Sequence, residues 1–279
     1  MSNLKGKIAL VTGAATHKSM GRAIALQLAT EGADVVVADK FAVPKILRAE
    51  DANWRGLHSV VQEIEALGAK GLAVEADVGS SKDVDALVAK TLEKFGKIDI
   101  LVHCVGVRGP VPVPVIELDE ETWRMLIDVN LHGSFLVGKA VAKAMLPNGE
   151  GKKIVFIGSG AGIEAFAGAA GYCAAKHGLM GLMKCMAIEL APHKINVNAV
   201  LPVAFDTNFR DEQMSKEAKE KGISVDEVIK NQPQGPAGAI PIGRLGTPED
   251  AAGAVSYLVS DKSSFASGAS ILLAGGLAI

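Results

Sequence analysis

A tyrosine and a lysine four residues apart, Tyr172 and Lys176, follow a serine, Ser159, in the run Ser-Gly-Ala-Gly-Ile-Glu-Ala-Phe-Ala-Gly-Ala-Ala-Gly-Tyr-Cys-Ala-Ala-Lys. The serine stands thirteen residues before the tyrosine. On a helix, positions i and i+4 share one face, so the phenol and the ammonium point into the same space. Ser159 closes the apolar run Lys153-Ile-Val-Phe-Ile157, which reads as a buried strand. A strand end and a helix face therefore bring three polar groups together in a layout suited to proton transfer. A phenol with a pKa of about 10 is a poor base at neutral pH, and moving it to about 7 takes roughly 4 kcal/mol. One cation about 4 Å away, at an effective dielectric of about 20, supplies on the order of 4 kcal/mol before desolvation is subtracted. Lys176 alone is barely enough. A second positive charge, such as an oxidised nicotinamide ring, closes the gap, so the base is expected to work with a cofactor bound.

A second group of residues points to that cofactor. The first apolar run ends in Val11-Thr12-Gly13, and the loop Ala-Ala-Thr-His-Lys-Ser-Met leads to Gly21 and a helix beginning Arg22-Ala-Ile-Ala. Strand, glycine loop and helix N-terminus make an anion site, with Gly13, Ser19, Met20 and Gly21 around a pyrophosphate. Ser19 stands where a middle glycine is expected. Asp39 lies 18 residues beyond Gly21, at the end of Asp34-Val-Val-Val-Ala-Asp39. An acid there accepts hydrogen bonds from the adenosine ribose and repels a 2′-phosphate, which favours NAD over NADP. His17, Lys18 and Lys40 are nearby cations that would attract that phosphate, so an NADP-dependent carbonyl reductase stays open as an alternative.

The elements that must hold these residues alternate along the whole chain. Strands are expected over 7–12, 34–38, 70–74, 98–103, 153–157, 195–200 and 269–273, and helices over 20–31, 57–67, 81–95, 120–145, 172–190, 209–230 and 248–260. Such alternation implies right-handed crossovers and a parallel sheet. The strands are rich in Val and Ile with little alternation, as befits strands covered on both faces. The expected fold is α/β, a single Rossmann-like doubly wound parallel sheet of about seven strands, with residues 1–279 forming one domain. Two segments break the rhythm: residues 40–56, with Pro44 and Trp54, and residues 203–247, which read as a substrate lid.

Composition narrows the class. The 279 residues are 49% hydrophobic with a formal net charge of −2, which gives no electrostatic reason to expect nucleic acid or an anionic membrane. No apolar run reaches 18 residues and the N-terminus lacks a signal-peptide core. Cys104, Cys173 and Cys185 are widely spaced with no metal-ligand pattern, so no metal is expected and a reduced cytoplasmic protein is the simplest reading. Cys173 reads as a small buried hydrophobe.

Together these residues resemble the short-chain dehydrogenase/reductase family, over about residues 4–276. The resemblance implies that Asn130, in Asp128-Val-Asn130-Leu-His-Gly-Ser, completes the site through a water relay. It implies that Asp77 and Val78 contact the adenine, that Gly106 follows the fourth strand beside the cofactor, and that Pro202, Val203 and Thr207 surround the nicotinamide amide. Three departures stand out. His103-Cys104-Val105 replaces the usual asparagine contacts, Val203 replaces a glycine after Pro202, and Ala274 precedes Gly-Gly where an Asp is common.

The expected reaction is NAD-dependent interconversion of a secondary alcohol (a polyol, sugar or similar hydroxy compound) and its ketone. Ser159 positions the substrate hydroxyl and Tyr172 exchanges its proton. Lys176 lowers the phenol pKa and holds the nicotinamide ribose. Asn130 anchors the relay water. An isomerase or lyase that keeps NAD bound, and a non-catalytic dinucleotide sensor, are the other readings, though a sensor needs no proton relay. Substrate choice falls to 106–115, 160–166 with Glu164 and Phe166, and the lid with Phe205, Phe209 and Arg210. The helix after Tyr172, with Ala174, Gly178, Gly181 and Leu182, is apolar or small around much of its girth. Family members associate through the equivalent helix, and a homotetramer is expected.

Overall fold

The computed structural model describes residues 3–44, 51–225, 227–228 and 240–277, and its strands follow the Val/Ile runs closely. They are β1 (Ile8–Thr12), β2 (Asp34–Asp39), β3 (Gly71–Glu75), β4 (Ile100–His103), β5 (Lys152–Ile157), β6 (Ile195–Pro202) and β7 (Ser270–Leu273). The central strands β1, β4 and β5 are buried at every position, so no polar face was available to produce alternation. All pairings are parallel, in the order β3-β2-β1-β4-β5-β6-β7.

Between the strands run α1 (Met20–Thr30), α2 (Leu57–Ala66), α3 (Ser81–Phe95), α4 (Glu120–Ile127), α5 (Gly133–Met145), α6 (Ala170–Leu190), α7 (Asn208–Lys221) and α8 (Pro248–Val259). Two apolar cores result, one on each face of the sheet. Residues of α3, α5 and α6 fill the first, and residues of α1, α2 and α8 fill the second. The chain order reverses direction between β1 and β4. That crevice, at the carboxyl ends of the strands, is where doubly wound sheets bind ligands.

The helix expected without interruption over 120–145 is divided. A π-helical turn, Asp128–His132, separates α4 from α5. Hydrophobic periodicity cannot register one extra residue per turn, and such turns concentrate at functional sites. Of the helix expected over 209–230, α7 accounts for the first part. Residues 45–50, 226 and 229–239, from the two expected excursions, lie outside the described residues. Among the described residues no helix is long and apolar enough to cross a membrane, and no cluster of metal-ligating side chains occurs.

Candidate active site

The first strand-to-helix turn is shaped by close backbone approaches. Gly13 has φ +74° and donates its N–H to Ala38 O at 2.8 Å. A Cβ on Gly13 would lie 2.8 Å from the Cys104 carbonyl carbon, and one on Gly21 would strike Gly13 O, so neither position admits a side chain. Ser19, in the place of the middle glycine, is the N-cap of α1, and its Oγ accepts from Arg22 N–H at 3.1 Å. It thus serves the helix terminus that faces the turn. Asp39 Oδ2 accepts from Ala15 N–H at 3.0 Å and Oδ1 from Lys40 N–H at 2.8 Å. Burial raises its pKa, and these two donors pull it back.

His17, Lys18 and Lys40 each lie against a carboxylate. His17 Nδ1 lies 2.6 Å from Asp51, Lys18 Nζ 2.6 Å from Asp206, and Lys40 Nζ 2.8 Å from Asp77. The excursion after β2 also grips the turn directly. Trp54 donates its indole N–H to Ala15 O at 2.7 Å, stacks near His17 at 4.7 Å, and receives the Arg22 guanidinium over its ring. Asp77 further accepts from Gly79 N–H, and its pKa is lowered chiefly by Lys40. Val78 is buried against Gly133. A glycine turn closed to side chains, a capped helix N-terminus and an acid at the end of β2 form a donor set that fits the pyrophosphate and ribose of a dinucleotide.

The residues expected to transfer protons meet at the carboxyl ends of β4, β5 and β6. A cavity of about 390 Å³ is lined there by Ser159, Tyr172 and Lys176. Met20, Gly106, Pro202, Val203 and Thr207, all expected around the cofactor, share its wall. Ser159 begins a 3-10 turn, Gly160–Gly162, and is hydrogen-bonded through its side chain to the Tyr172 phenol. Lys176 is 3% exposed. Its ammonium donates to Ile157 O at 3.2 Å and lies over the Tyr172 ring, 5.8 Å from the centroid.

Burial dominates the electrostatics. It raises the Tyr172 pKa above the ordinary phenol value, against the Ser159 hydrogen bond and the charge of Arg108, which lower it. It pushes Lys176 down to about 8. The charge of Arg108, from the loop after β4, is among the groups that lower the Tyr172 pKa. The buried ammonium of Lys176 donates to the backbone at Ile157 O. Arg108 could not be read from local spacing, since it lies 64 residues before the tyrosine.

Asn130 is fully buried in the π turn, outside the cavity wall. Its Nδ2 donates to Val107 O at 2.8 Å and to Leu126 O at 2.9 Å, and its Oδ1 accepts from Val107 N–H at 3.1 Å. It clamps the strand-end segment at Gly106, where an added Cβ would meet Asn130 Oδ1 at 3.1 Å and Lys176 Nζ at 3.3 Å. The altered β4 motif has its own logic. His103 Nδ1 and Thr12 Oγ1 lie 2.9 Å apart, and burial holds the imidazole pKa at about 3, so the ring is neutral. Burial likewise pushes the Cys104 thiol up to about 12, and Cys173 is buried as expected.

The segment expected as a lid begins at the end of β6. Ala204 adopts φ +56°, a left-handed conformation unusual for a residue with a side chain, and turns the chain over the cavity. Lys18 N–H donates to Asn208 Oδ1 at 2.6 Å, fastening α7 to the glycine turn. Phe205 and Arg210 line the cavity, as does Phe166, whereas Glu164 is exposed and outside its wall. The Phe209 side chain lies outside the described residues.

A family model described as enoyl-(acyl carrier protein) reductase matches residues 13–278. A curated short-chain dehydrogenase/reductase of Armillaria gallica is 34% identical over 273 residues, covering 98% of this chain and 96% of that one. An L-rhamnose 1-dehydrogenase (NAD(P)(+)) of Sphingomonas sp. (strain SKA58) is 34% identical over 286 residues, covering 99% and 98%. Among solved structures, a carveol dehydrogenase from Mycobacterium avium in complex with NAD superimposes with a TM-score of 0.82 at 30% identity, covering 99% of both chains.

Proposed function

The chain belongs to the short-chain dehydrogenase/reductase family, and from that premise we propose that it is an NAD-dependent enzyme interconverting a secondary alcohol and its ketone, with Tyr172 as acid and base. The observation that carries this reading is the phenol of Tyr172, hydrogen-bonded to Ser159 in a cavity it shares with Lys176. The bound nicotinamide supplies the hydride acceptor for oxidation and the hydride donor for reduction. Gly13, Ser19, Met20 and Gly21 hold the pyrophosphate, Asp39 the adenosine ribose, and Asp77 and Val78 the adenine. Gly106, Pro202, Val203, Thr207, Tyr172 and Lys176 form the nicotinamide end. Ser159 orients the substrate oxygen, and Tyr172 takes the hydroxyl proton in oxidation and returns it in reduction. Lys176 holds positive charge beside the ring, and Asn130 fixes the Gly106 segment and the proton exit.

NAD is favoured over NADP because an acid, Asp39, ends β2 where the adenosine ribose is expected, while His17, Lys18 and Lys40 each lie against a carboxylate. One catalytic domain with a lid over 203–247 accounts for the arrangement. Exposed apolar side chains on α4, α5 and α6 (Trp123, Phe135, Ile188), and beside β7 (Tyr257, Leu272, Phe265), give two faces on which a homotetramer can close.

The test is Tyr172→Phe, assayed by NADH absorbance against secondary alcohols, polyols and sugars. Turnover should vanish while NADH binding, followed by tryptophan fluorescence, persists. Activity like that of the wild type would rule out Tyr172 as the base. Net accumulation of NADH by the wild type separates a dehydrogenase from an isomerase or lyase.

A further inference from the structure

The excursion between β2 and α2 closes on itself before it reaches the glycine turn. Leu57 N–H donates to Ala42 O at 2.9 Å, so the two ends of the excursion meet. Gly56, at φ +60°, lies so close to Ala42 that an added Cβ would strike the same carbonyl. The returning limb carries Asp51 and Trp54, joined by a hydrogen bond from Trp54 N–H to Asp51 O at 2.8 Å. Both side chains reach the turn. The Trp54 indole donates to Ala15 O at 2.7 Å, and Asp51, 5% exposed, lies 2.6 Å from His17 Nδ1. Arg22, its guanidinium 5.2 Å from the centre of the Trp54 ring, donates Nη1–H to His17 O at 3.0 Å and is itself fixed by a two-pronged pair with Glu63 of α2. Ala15 is held from its other side as well, where its N–H donates to Asp39 Oδ2 at 3.0 Å.

Seven residues separate Gly13 from Gly21. Each residue of such a turn that a ligand must order costs conformational entropy, and ordering it beforehand raises affinity. Carbonyl oxygens and backbone N–H groups also act oppositely on an anion: a carbonyl turned toward a pyrophosphate repels it, and an N–H attracts it. Trp54 and Arg22 each engage one carbonyl of the turn, at Ala15 and at His17, and so commit both oxygens to donors of the protein. The indole donor comes from outside the strand–turn–helix unit, across 39 residues. We propose that Trp54 and Arg22 are positioning residues for the coenzyme, holding the glycine turn before binding in the shape that receives the dinucleotide pyrophosphate, with Asp51 steadying His17 beside them. The proposal rests on the reading of this turn as the pyrophosphate site. It gives the Asp51–Trp54 limb a part in coenzyme affinity and none in the proton-transfer step.

The experiment uses the full-length protein and two variants. Trp54→Phe keeps an aromatic ring and loses the indole N–H; Arg22→Lys keeps the charge and loses the forked grip. Calorimetric titration measures the affinity for NADH and for ADP-ribose, which carries the pyrophosphate without the nicotinamide. Turnover of the panel of secondary alcohols, polyols and sugars gives kcat and KM for NAD, and scanning calorimetry gives Tm of the cofactor-free proteins. Each variant should weaken both ligands about five- to tenfold, the equivalent of about 1 kcal/mol for one lost hydrogen bond. KM for NAD should rise by a similar factor while kcat at saturating NAD stays within about twofold, because the interaction acts on binding alone. Affinities unchanged in both variants, with or without a fall in Tm, would make these side chains props of the loop and overturn the proposal, leaving the dehydrogenase reading standing where NADH still forms. A loss of kcat at constant KM would overturn it equally. A wild type that binds neither ligand would remove the pyrophosphate site and the proposal together. Binding without turnover of any alcohol, weakened in both variants, would keep the proposal and count against the dehydrogenase. Should Trp54→Phe fail to fold, Arg22→Lys carries the same test.

Discussion

Replacing Lys176 by methionine should make the folded protein more stable while removing its activity. The lysine is 3% exposed, and burial holds its pKa at about 8 against an ordinary 10.5. At ~1.36 kcal/mol per pH unit, that fall corresponds to about 3 kcal/mol of stability lost whenever the folded chain carries this charge. Methionine keeps the aliphatic stem and the volume, and gives up the hydrogen bond to Ile157 O, worth about 1 kcal/mol. The net expectation near neutral pH is a gain of about 2 kcal/mol, or roughly 3–4 °C in Tm for a chain of this size. The sign follows from proton uptake. Between about 8 and 10.5 the unfolded chain binds the proton and the folded one does not, so the wild type regains stability as pH rises through that window. The advantage of Lys176→Met should therefore be full at pH 7 and mostly gone at pH 10. Calorimetry of both cofactor-free proteins at the two pH values measures it, with turnover assayed in parallel. A variant that melts below the wild type at pH 7, or a difference in Tm identical at both pH values, would refute the claim that burial of a charged amine dominates this position.

Ser159→Ala removes an oriented donor and should lower kcat about a hundredfold or more with little change in NADH binding; an unchanged kcat would make the serine the cap of its 3-10 turn and nothing more. Asp39→Asn keeps an acceptor for Ala15 or Lys40 N–H but removes the charge. Its kcat/KM preference for NAD over NADP should fall about fivefold or more, the effect of losing roughly 1 kcal/mol of repulsion, and a ratio equal to that of the wild type would show that Asp39 does not discriminate.

The sheet was legible in the chain because β1, β2, β4 and β5 each carry an uninterrupted apolar or β-branched run at their centre, and β6 keeps one despite Asn196 and Asn198. Its bounds moved by only a residue or two in the structure. Ser159, Tyr172 and Lys176 were legible for a related reason: a strand end and an i, i+4 pair depend on local geometry that spacing encodes. What spacing could not carry was contact across the fold. Trp54 and Asp51 reach back to the glycine turn from an excursion that reads as plain loop, and Asp206 takes Lys18 across 188 residues. The π turn at Asn130 hid within an amphipathic pattern whose hydrophobic stripe continues on either side. Arg108 stands in a proline-rich loop whose sequence gives no sign that it approaches Tyr172.

These long-range contacts change what the site is at rest. A phenol whose pKa is raised and an amine whose pKa is lowered to about 8 leave the pair, at neutral pH, as a protonated tyrosine beside an ammonium. Both groups line one cavity, so their titrations are coupled and respond together to any charge brought into it. Added positive charge favours the phenolate and an anion opposes it.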